Sequence, residues 1–357
     1  MKSVPRNKAR GRGQRQWIRP RYQQDDRESI DDGWWRDDDE EPLATSVTVE
    51  QSRTIISRNR SPDIPFEQSI NPYRGCEHGC TYCYARPAHA YMDLSPGIDF
   101  ETKLFAKPDA ARLLEKELAS KSYRCSPIAL GANTDPYQPI ERQWRITRQI
   151  IETLQRCRHP LTIVTKSALV LRDRDLLSAM AALDLVQVFI SVTTLDPELA
   201  RRMEPRAAAP WKRLRAIEEL ARAGIPVGVM FAPVIPALND TEMENILARA
   251  AESGAISAGY VMLRLPHEVN ILFREWLDTH YPLKSDHVMN MVKDIRGGRE
   301  NDPEFKSRMR GQGVYADMIE QRFHKTCKRL GLNSRHIRLD TSKFIAPAGN
   351  RRQPDLF

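Results

Sequence analysis

Short apolar runs alternate with amphipathic stretches through the middle of the chain. Runs rich in Val, Ile and Leu are typical of buried parallel strands, whereas apolar residues at helical spacing indicate helices that cover a sheet. The alternation therefore predicts successive βα units and a parallel sheet. The six main predicted strands are Ser69–Tyr73, Pro127–Gly131, Leu161–Thr165, Val186–Val192, Pro226–Phe231 and Ala258–Leu263.

The two ends of the chain have different patterns. Residues 1–45 lack apolar periodicity and consist of a basic block followed by an acidic block, which predicts a disordered charged tail. The β-branched residues within 46–60 predict an extended arm on the core. Residues 61–270 form the predicted βα core, 271–345 a helical extension and 346–357 a flexible tail.

Composition places the protein among soluble globular chains. The net charge is +8, and because the two N-terminal charge blocks roughly cancel, the excess belongs to the body, which suits a polyanionic substrate. No apolar run reaches the length of about 18 residues that a membrane span needs, and no secretory signal is present. We therefore expect a cytoplasmic protein in which Cys125, Cys157 and Cys327 are free thiols.

Three of the six cysteines lie within residues 75–84, Gly-Cys-Glu-His-Gly-Cys-Thr-Tyr-Cys-Tyr. Thiolates select zinc, copper(I) or iron–sulfur clusters. A structural zinc ion needs four ligands, and the nearest fourth candidate, His78, lies inside the tight first gap. A [4Fe–4S] cluster fits better, because Cys76, Cys80 and Cys83 would bind three irons and leave the fourth open. A small zinc loop is the alternative.

The C-x3-C-x2-C spacing, with an aromatic residue before the last cysteine, resembles the radical S-adenosylmethionine (radical SAM) enzymes. The fuller string, Asn71-Pro72-Tyr73-Arg74-Gly75-Cys76 continuing through Cys83-Tyr84-Ala85-Arg86, is similar to the branch related to spore photoproduct lyase, often labelled DNA repair photolyase-like. The resemblance implies a partial TIM-type (β/α)6 barrel with its active site at the carboxyl ends of the strands. It also implies that the open iron chelates S-adenosylmethionine and that an electron from a reductant such as flavodoxin or ferredoxin cleaves it to a 5′-deoxyadenosyl radical.

The resemblance further implies contacts to S-adenosylmethionine after the second and third strands. There, Asn133, Thr134 or Asp135 would hold the methionyl ammonium group, although an Asx turn before a proline explains any one of them equally well. Lys166, at a buried strand end, needs an anion, and the carboxylate of S-adenosylmethionine would serve.

Further candidates follow the later strands. Ser191 and Thr193 face the same side of the fourth strand and correspond to ribose-binding positions in the resembled enzymes. Arg264 could pair bidentately with a carboxylate or phosphate, with an exposed rim arginine as the alternative. Tyr82 and Tyr84 would pack against adenine, although core packing explains them too. The string Met203-Glu204-Pro205-Arg206 could cap the cavity or reach substrate.

Three functions stay open at this point. The first is a radical SAM enzyme, lyase-like or modifying, that abstracts hydrogen from a nucleic-acid base in DNA repair or modification, which requires an extruded or single-stranded base. The second applies the same chemistry to a protein or small metabolite, and the third is a non-catalytic metal-binding adaptor. Spore photoproduct lyase carries a hydrogen-donating cysteine beside its second-strand motif, whereas Gly131-Ala132-Asn133 here has none, so we do not expect thymine-dimer reversal by that mechanism.

The segment Gln353-Pro354-Asp355-Leu356-Phe357 resembles the peptide with which bacterial polymerases and repair proteins bind the DNA sliding clamp. Leu356 and Phe357 would fill an apolar pocket, and Gln353 would supply orienting hydrogen bonds. The alternatives are a chance match and packing of Leu356 and Phe357 on the body.

Overall fold

The computed structural model describes residues 2–3, 11–23, 43–335 and 337–347. It contains a seven-stranded main sheet, a three-stranded sheet beside it and a two-stranded pair. The strands are β1 (Lys2–Ser3), β2 (Gln16–Trp17), β3 (Ser46–Val49), β4 (Ile56–Arg58), β5 (Gln68–Ile70), β6 (Tyr73–Arg74), β7 (Lys103–Ala106), β8 (Ile128–Leu130), β9 (Leu161–Thr165), β10 (Val186–Ser191), β11 (Val227–Val234) and β12 (Ser257–Met262).

The helices follow the strands in the order that βα units require. They are α1 (Asp99–Thr102), α2 (Ala110–Leu118), α3 (Glu141–Trp144), α4 (Ile146–Arg156), α5 (Arg174–Ala181), α6 (Pro197–Met203), α7 (Pro210–Arg222), α8 (Met243–Glu252), α9 (Val269–His280), α10 (Ser285–Asp294), α11 (Ser307–Arg310) and α12 (Val314–Leu330). None of these described helices combines the length and apolarity of a membrane span.

The predicted parallel sheet and partial barrel are confirmed. Strands β5, β8, β9, β10, β11 and β12 lie side by side in chain order with parallel pairing, and β4 adds an antiparallel edge. Each right-handed crossover brings a helix over the sheet, so the apolar strand residues are buried between the strands and the helical layer. Because the strands are parallel, their carboxyl ends meet at one edge, and the loops that follow them form one surface.

The first predicted strand ends earlier than expected. The prediction ran from Ser69 to Tyr73, whereas β5 ends at Ile70 and Tyr73 belongs to β6 of the smaller sheet. Pro72 explains the break, because proline has no backbone N–H to donate to a neighbouring strand. The predicted arm supplies β3, which pairs with β7, and β4, which pairs with β5.

Residues 11–23 differ from the expected disordered tail and form a segment, here called the N-terminal strap, that packs on the core. Ile18 is buried, and its backbone N–H donates to Ser95 Oγ at 2.7 Å. Arg12 donates to the carbonyl oxygens of Glu101 and Leu43, both at 2.9 Å. Such isolated long-range contacts leave no periodic pattern in the sequence. Residues 1, 4–10 and 24–42 lie outside the described residues.

The C-terminal extension is helical through α12, as predicted. Residues 337–347 then cross the amino-terminal end of the strands, where Ile345 N–H donates to Cys157 O at 2.8 Å and Asp340 N–H to Asp184 O at 2.9 Å. No strand forms among residues 337–340. The segment Gln353–Phe357, predicted to bind a sliding clamp, lies outside the described residues.

Candidate active site

The cysteine loop, residues 75–84, lies at the carboxyl edge of the main sheet and is held by backbone hydrogen bonds. Cys76 N–H donates to Phe100 O at 2.9 Å, and Thr81 N–H donates to Met203 O at 3.0 Å. Gly75 has a φ of 74°, and a Cβ there would lie 2.5 Å from Leu104 Cδ2. A side chain at Gly75 would therefore disturb the loop path, and glycine allows it.

The three thiols of this loop differ in burial. Cys76 is buried, and Cys80 and Cys83 are half-buried. Burial raises the pKa of Cys76, and Asp135, Cys80 and Cys83 add to that effect through their charges. Within the described part of the chain, no three Cys, His, Asp or Glu side chains converge on a position for a single metal ion. Three thiols from one short loop are the donor set that a [4Fe–4S] cluster with one open iron requires.

His78, weighed from the sequence as a fourth zinc ligand, pairs with Asp135 through one of its ring nitrogens. Its Nδ1 lies 3.3 Å from Asp135 Oδ2, and the residue is 2% exposed. The other Asp135 oxygen accepts from Thr165 Oγ1 at 2.6 Å and from Tyr137 N–H at 2.9 Å, which is the Asx turn weighed from the sequence. Burial opposes ionisation of Asp135, but His78, the Thr165 hydroxyl and the Lys166 N–H lower its pKa to about 2.

The two other candidates after β8 differ in exposure. Thr134 is buried and its hydroxyl donates to Tyr73 O at 3.2 Å, so it is turned into the protein. Asn133 is exposed, and its backbone N–H donates to Asn71 Oδ1 at 3.0 Å. Of these candidates, Asn133 therefore presents the freest side chain to a ligand.

A buried network centred on Glu204 organises the opposite side of the cysteine loop. Thr193 Oγ1 donates to Glu204 Oε1 at 2.7 Å, and the Tyr82 hydroxyl donates to the same oxygen. Arg213 donates from Nη2 to Glu204 Oε2, and from Nη1 to Ser191 O at 3.1 Å. The network thus brings together three of the predicted residues, Tyr82, Ser191 and Thr193.

The charges of this network are balanced internally. Burial opposes ionisation of Glu204, but Arg213 and Lys166 lower its pKa to about 2. Lys166 Nζ lies 5.8 Å from the Tyr82 ring centroid. Burial and the Glu204 charge raise the pKa of Cys80 to about 12, an effect that Lys166 opposes, so the network reaches the cysteines.

Arg213 was not predicted from the sequence, although a signal exists. It lies on the face of α7 that also carries Ala216, Ile217 and Leu220, all buried. An arginine within the apolar stripe of an amphipathic helix needs a buried anion, and that anion is Glu204. Glu204, expected to cap the cavity, instead lies at the centre of the network.

Arg264 and Tyr84 lie together, apart from the Glu204 network. The Arg264 guanidinium carbon is 5.6 Å from the Tyr84 ring centroid, and the Tyr84 hydroxyl donates to Ala132 O. Tyr84 is 46% exposed. The structure therefore pairs each tyrosine of the loop with a different cation, Tyr82 with Lys166 and Tyr84 with Arg264.

A parallel (β/α)6 sheet with a three-cysteine loop at the carboxyl edge defines a class of cluster-binding barrel proteins. The family model of the Radical SAM superfamily matches residues 70–250, half of the chain. The chain belongs to the radical SAM superfamily, a membership that implies S-adenosylmethionine and an iron–sulfur cluster and supports an enzymatic role.

The chain is also similar to individual proteins. An uncharacterized protein of Mycobacterium tuberculosis is 38% identical over 246 residues, covering 68% of this chain and 72% of that one. An uncharacterized protein of Methanocaldococcus jannaschii is 28% identical over 221 residues, covering 62% and 79%. A solved structure of spore photoproduct lyase complexed with dinucleoside spore photoproduct matches 80% of each chain, with a TM-score of 0.57 and 17% identity. At that identity the likeness supports the fold alone.

Proposed function

We propose that the protein binds a [4Fe–4S] cluster through Cys76, Cys80 and Cys83 and uses S-adenosylmethionine to abstract a hydrogen atom from a substrate. When bound, the cluster supplies an open iron site for S-adenosylmethionine and the electron that cleaves it, delivered by a reductant such as flavodoxin or ferredoxin. The observation that carries the proposal is the donor set itself, three thiols from one short loop at the carboxyl edge of a radical SAM sheet.

The residues of the chain have separate tasks in this proposal. Lys166 binds the carboxylate of S-adenosylmethionine, because it is the cation beside Cys80 and Tyr82. Ser191 and Thr193 lie near the ribose, and Asn133, with Thr134 and Asp135 behind it, lies near the ammonium group. Glu204 and Arg213 do not need to contact the ligand, since they fix the positions of Tyr82, Thr193 and the Ser191 backbone.

For the substrate we propose a nucleic-acid base, in DNA repair or modification. The basic body of the chain and the string around the cysteines support this choice. Ala132 in place of a cysteine leaves the hydrogen donor for the product to another group. A protein or small-metabolite substrate would use the same residues, so product analysis with ultraviolet-irradiated single-stranded and duplex DNA separates these possibilities.

The test is anaerobic reconstitution with iron and sulfide, followed by a dithionite-driven 5′-deoxyadenosine assay. We expect about four irons per chain and S-adenosylmethionine cleavage. Both should disappear when Cys76, Cys80 and Cys83 are replaced by alanine, and both should persist in the matched control Cys125→Ala, which lies before β8. A parent protein that binds only zinc, or a triple variant that keeps its iron, would contradict the proposal and favour a metal-binding adaptor.

We also propose that Gln353–Phe357 binds the bacterial DNA sliding clamp. The sequence of that segment supports this, and the preceding residues Lys343–Ile345 lie at the amino end of the strands, at the opposite end from the cysteine loop. In a pull-down with purified clamp, the intact chain should be retained and a chain lacking residues 353–357 should not. Equal retention of the two forms would count against this docking role.

A further inference from the structure

Arg264 lies at the mouth of the barrel without a carboxylate partner among the described residues. It follows β12, and its hydrogen bond from Nη1 goes to Met309 Sδ at 3.6 Å, a weak acceptor. Its Nε is buried and makes no hydrogen bond within the described chain. Burial and the nearby Arg308 lower the pKa of Arg264. A guanidinium in such a position is costly to keep unless an anion joins it.

Among residues 11–23, 43–335 and 337–347, the groups around Arg264 do not supply that anion. Arg308 takes both oxygens of Asp63, at 2.6 Å each. Arg296 is 1% exposed and donates to four backbone carbonyls, and burial lowers its pKa to about 10. The remaining nearby carboxylate, Asp302, accepts from Glu304 N–H at 2.9 Å. The three guanidiniums therefore have two carboxylates near them, Asp63 and Asp302, and both already accept hydrogen bonds from other groups. Among the described residues, this leaves a net charge of one positive unit.

This arrangement contrasts with that of Lys166. The Lys166 charge is balanced by Glu204 within the buried network, whereas the Arg264 charge is open toward the mouth. Arg264, Arg296 and Arg308 also lie beyond residues 70–250, the part that matches the superfamily model. The contrast assigns Lys166 to the cofactor and leaves Arg264 for the substrate.

We infer that Arg264 anchors a phosphate group of the substrate beside Tyr84. The planar guanidinium offers parallel N–H donors that match two phosphate oxygens. The half-exposed Tyr84 ring next to it offers a face on which a base can pack. The sequence predicted that Arg264 contacts the cofactor, whereas here Arg264 is assigned to the substrate. It rests on the proposed function for the reaction, but phosphate binding itself does not require that reaction.

The test is thermal unfolding of the full chain with inorganic phosphate or the thymidine dinucleotide monophosphate TpT, at constant ionic strength set with chloride. Binding to the native state raises Tm in proportion to the logarithm of ligand concentration. We expect both probes to raise the Tm of the parent, and Arg264→Met to weaken their binding at least about tenfold. Arg249→Met, on the exposed face of α8, is the control and should respond like the parent.

Two further readouts separate anchoring from a structural role. Because Arg264 has no carboxylate partner in the described part of the chain, Arg264→Met should not lower Tm in the absence of phosphate. Arg264→Lys keeps the charge but loses the planar donors, so it should bind with intermediate affinity. Tighter binding of TpT than of inorganic phosphate would assign the site to a nucleotide, and equal binding would assign it to a phosphate group alone.

The inference would be overturned by a parent protein with no Tm response to either probe at about 10 mM. It would also be overturned if Arg264→Met kept the parental Tm response to the probes, whether or not its Tm without ligand were lower than that of the parent. These outcomes do not depend on cluster loading, because the assay needs neither iron nor S-adenosylmethionine. A failed 5′-deoxyadenosine assay would therefore count against the proposed function only. Phosphate binding at Arg264 would still be decided by the thermal-unfolding measurements.

Discussion

Replacing Glu204 with glutamine tests whether the buried charge network holds the site together. Glutamine keeps the size of the side chain but removes the negative charge that Arg213 and Lys166 share. Arg213 is 1% exposed, so water cannot replace the lost partner. Breaking one side of a buried ion pair costs about 3–5 kcal/mol, and the half-buried Lys166 adds little because solvent screens it.

For a chain of this size we expect Tm to fall by roughly 6–10 °C, at about 2 °C per kcal/mol. Thermal unfolding followed by circular dichroism at pH 7 measures this change. The control Glu198→Gln removes an exposed carboxylate that pairs with Arg202 one helical turn away, and should change stability by less than about 0.5 kcal/mol. The double variant Glu204→Leu with Arg213→Met removes both charges, so it should recover part of the loss.

The stability difference between the parent and the single variant Glu204→Gln should change with pH in a defined direction. The folded pKa of Glu204 is about 2, below the ordinary value of 4.5, so its contribution is complete above about pH 4.5 and is lost as the pH falls toward 2. The difference in stability between parent and Glu204→Gln should therefore be constant near neutrality and shrink in acid. A glutamine variant within about 1 kcal/mol of the parent at pH 7, or a double variant no more stable than the single one, would refute this reasoning.

Two other perturbations test different parts of the fold. Gly13→Ala places a Cβ 1.7 Å from Gly79 O, so it should displace the strap and speed iodoacetamide labelling of the apo cysteine loop, and equal labelling rates in the parent and the variant would contradict this. His159 is buried and its pKa is lowered to about 4, so its stabilising effect is complete above about pH 6.5 and is lost as the pH falls toward 4, by up to about 3 kcal/mol. Tm measured against pH should fall more steeply over that range for the parent than for His159→Gln, and parallel curves would contradict the assignment.

Much of the core follows from local sequence patterns. Strand β9 has the predicted bounds, Leu161–Thr165, because its side chains alternate between fully and partly buried positions between two neighbouring strands. The cysteine loop was also recognisable, since its three cysteines lie within eight residues of one another along the chain. Where an element is set by neighbours in sequence, the pattern of residues is sufficient to place it.

The parts that sequence reasoning placed less well depend on long-range pairs. The Thr193 hydroxyl is directed by Glu204, and Arg213 is positioned by the same carboxylate from a different element. Neither partner can be chosen from a pattern, because several acids and arginines are available and the fold alone decides which become buried together. Arg213 on the apolar stripe of α7 signals that some buried anion exists, without identifying it.

The N-terminal strap shows how regions outside the matched core complete the site. Gly13 and Gln14 donate their backbone N–H groups to the two Glu101 oxygens, at 2.8 and 3.0 Å, and Arg86 pairs with the same carboxylate at 2.5 Å. Farther along, Arg21 Nε lies 2.7 Å from Glu268 at the start of α9.

The buried carboxylate of Glu101 therefore fixes the strap, while its partner Arg86 fixes the cysteine loop by donating to Cys80 O at 2.8 Å. Because one ion pair orders both segments, moving either segment would leave a buried charge partly unsatisfied, which is strongly unfavourable. The strap and the cysteine loop should accordingly form as one unit, with the strap also tying the loop to α9. The superfamily core supplies the cysteines, and the flanking regions of this chain set how closely the loop is covered and, at Arg264, what can approach it.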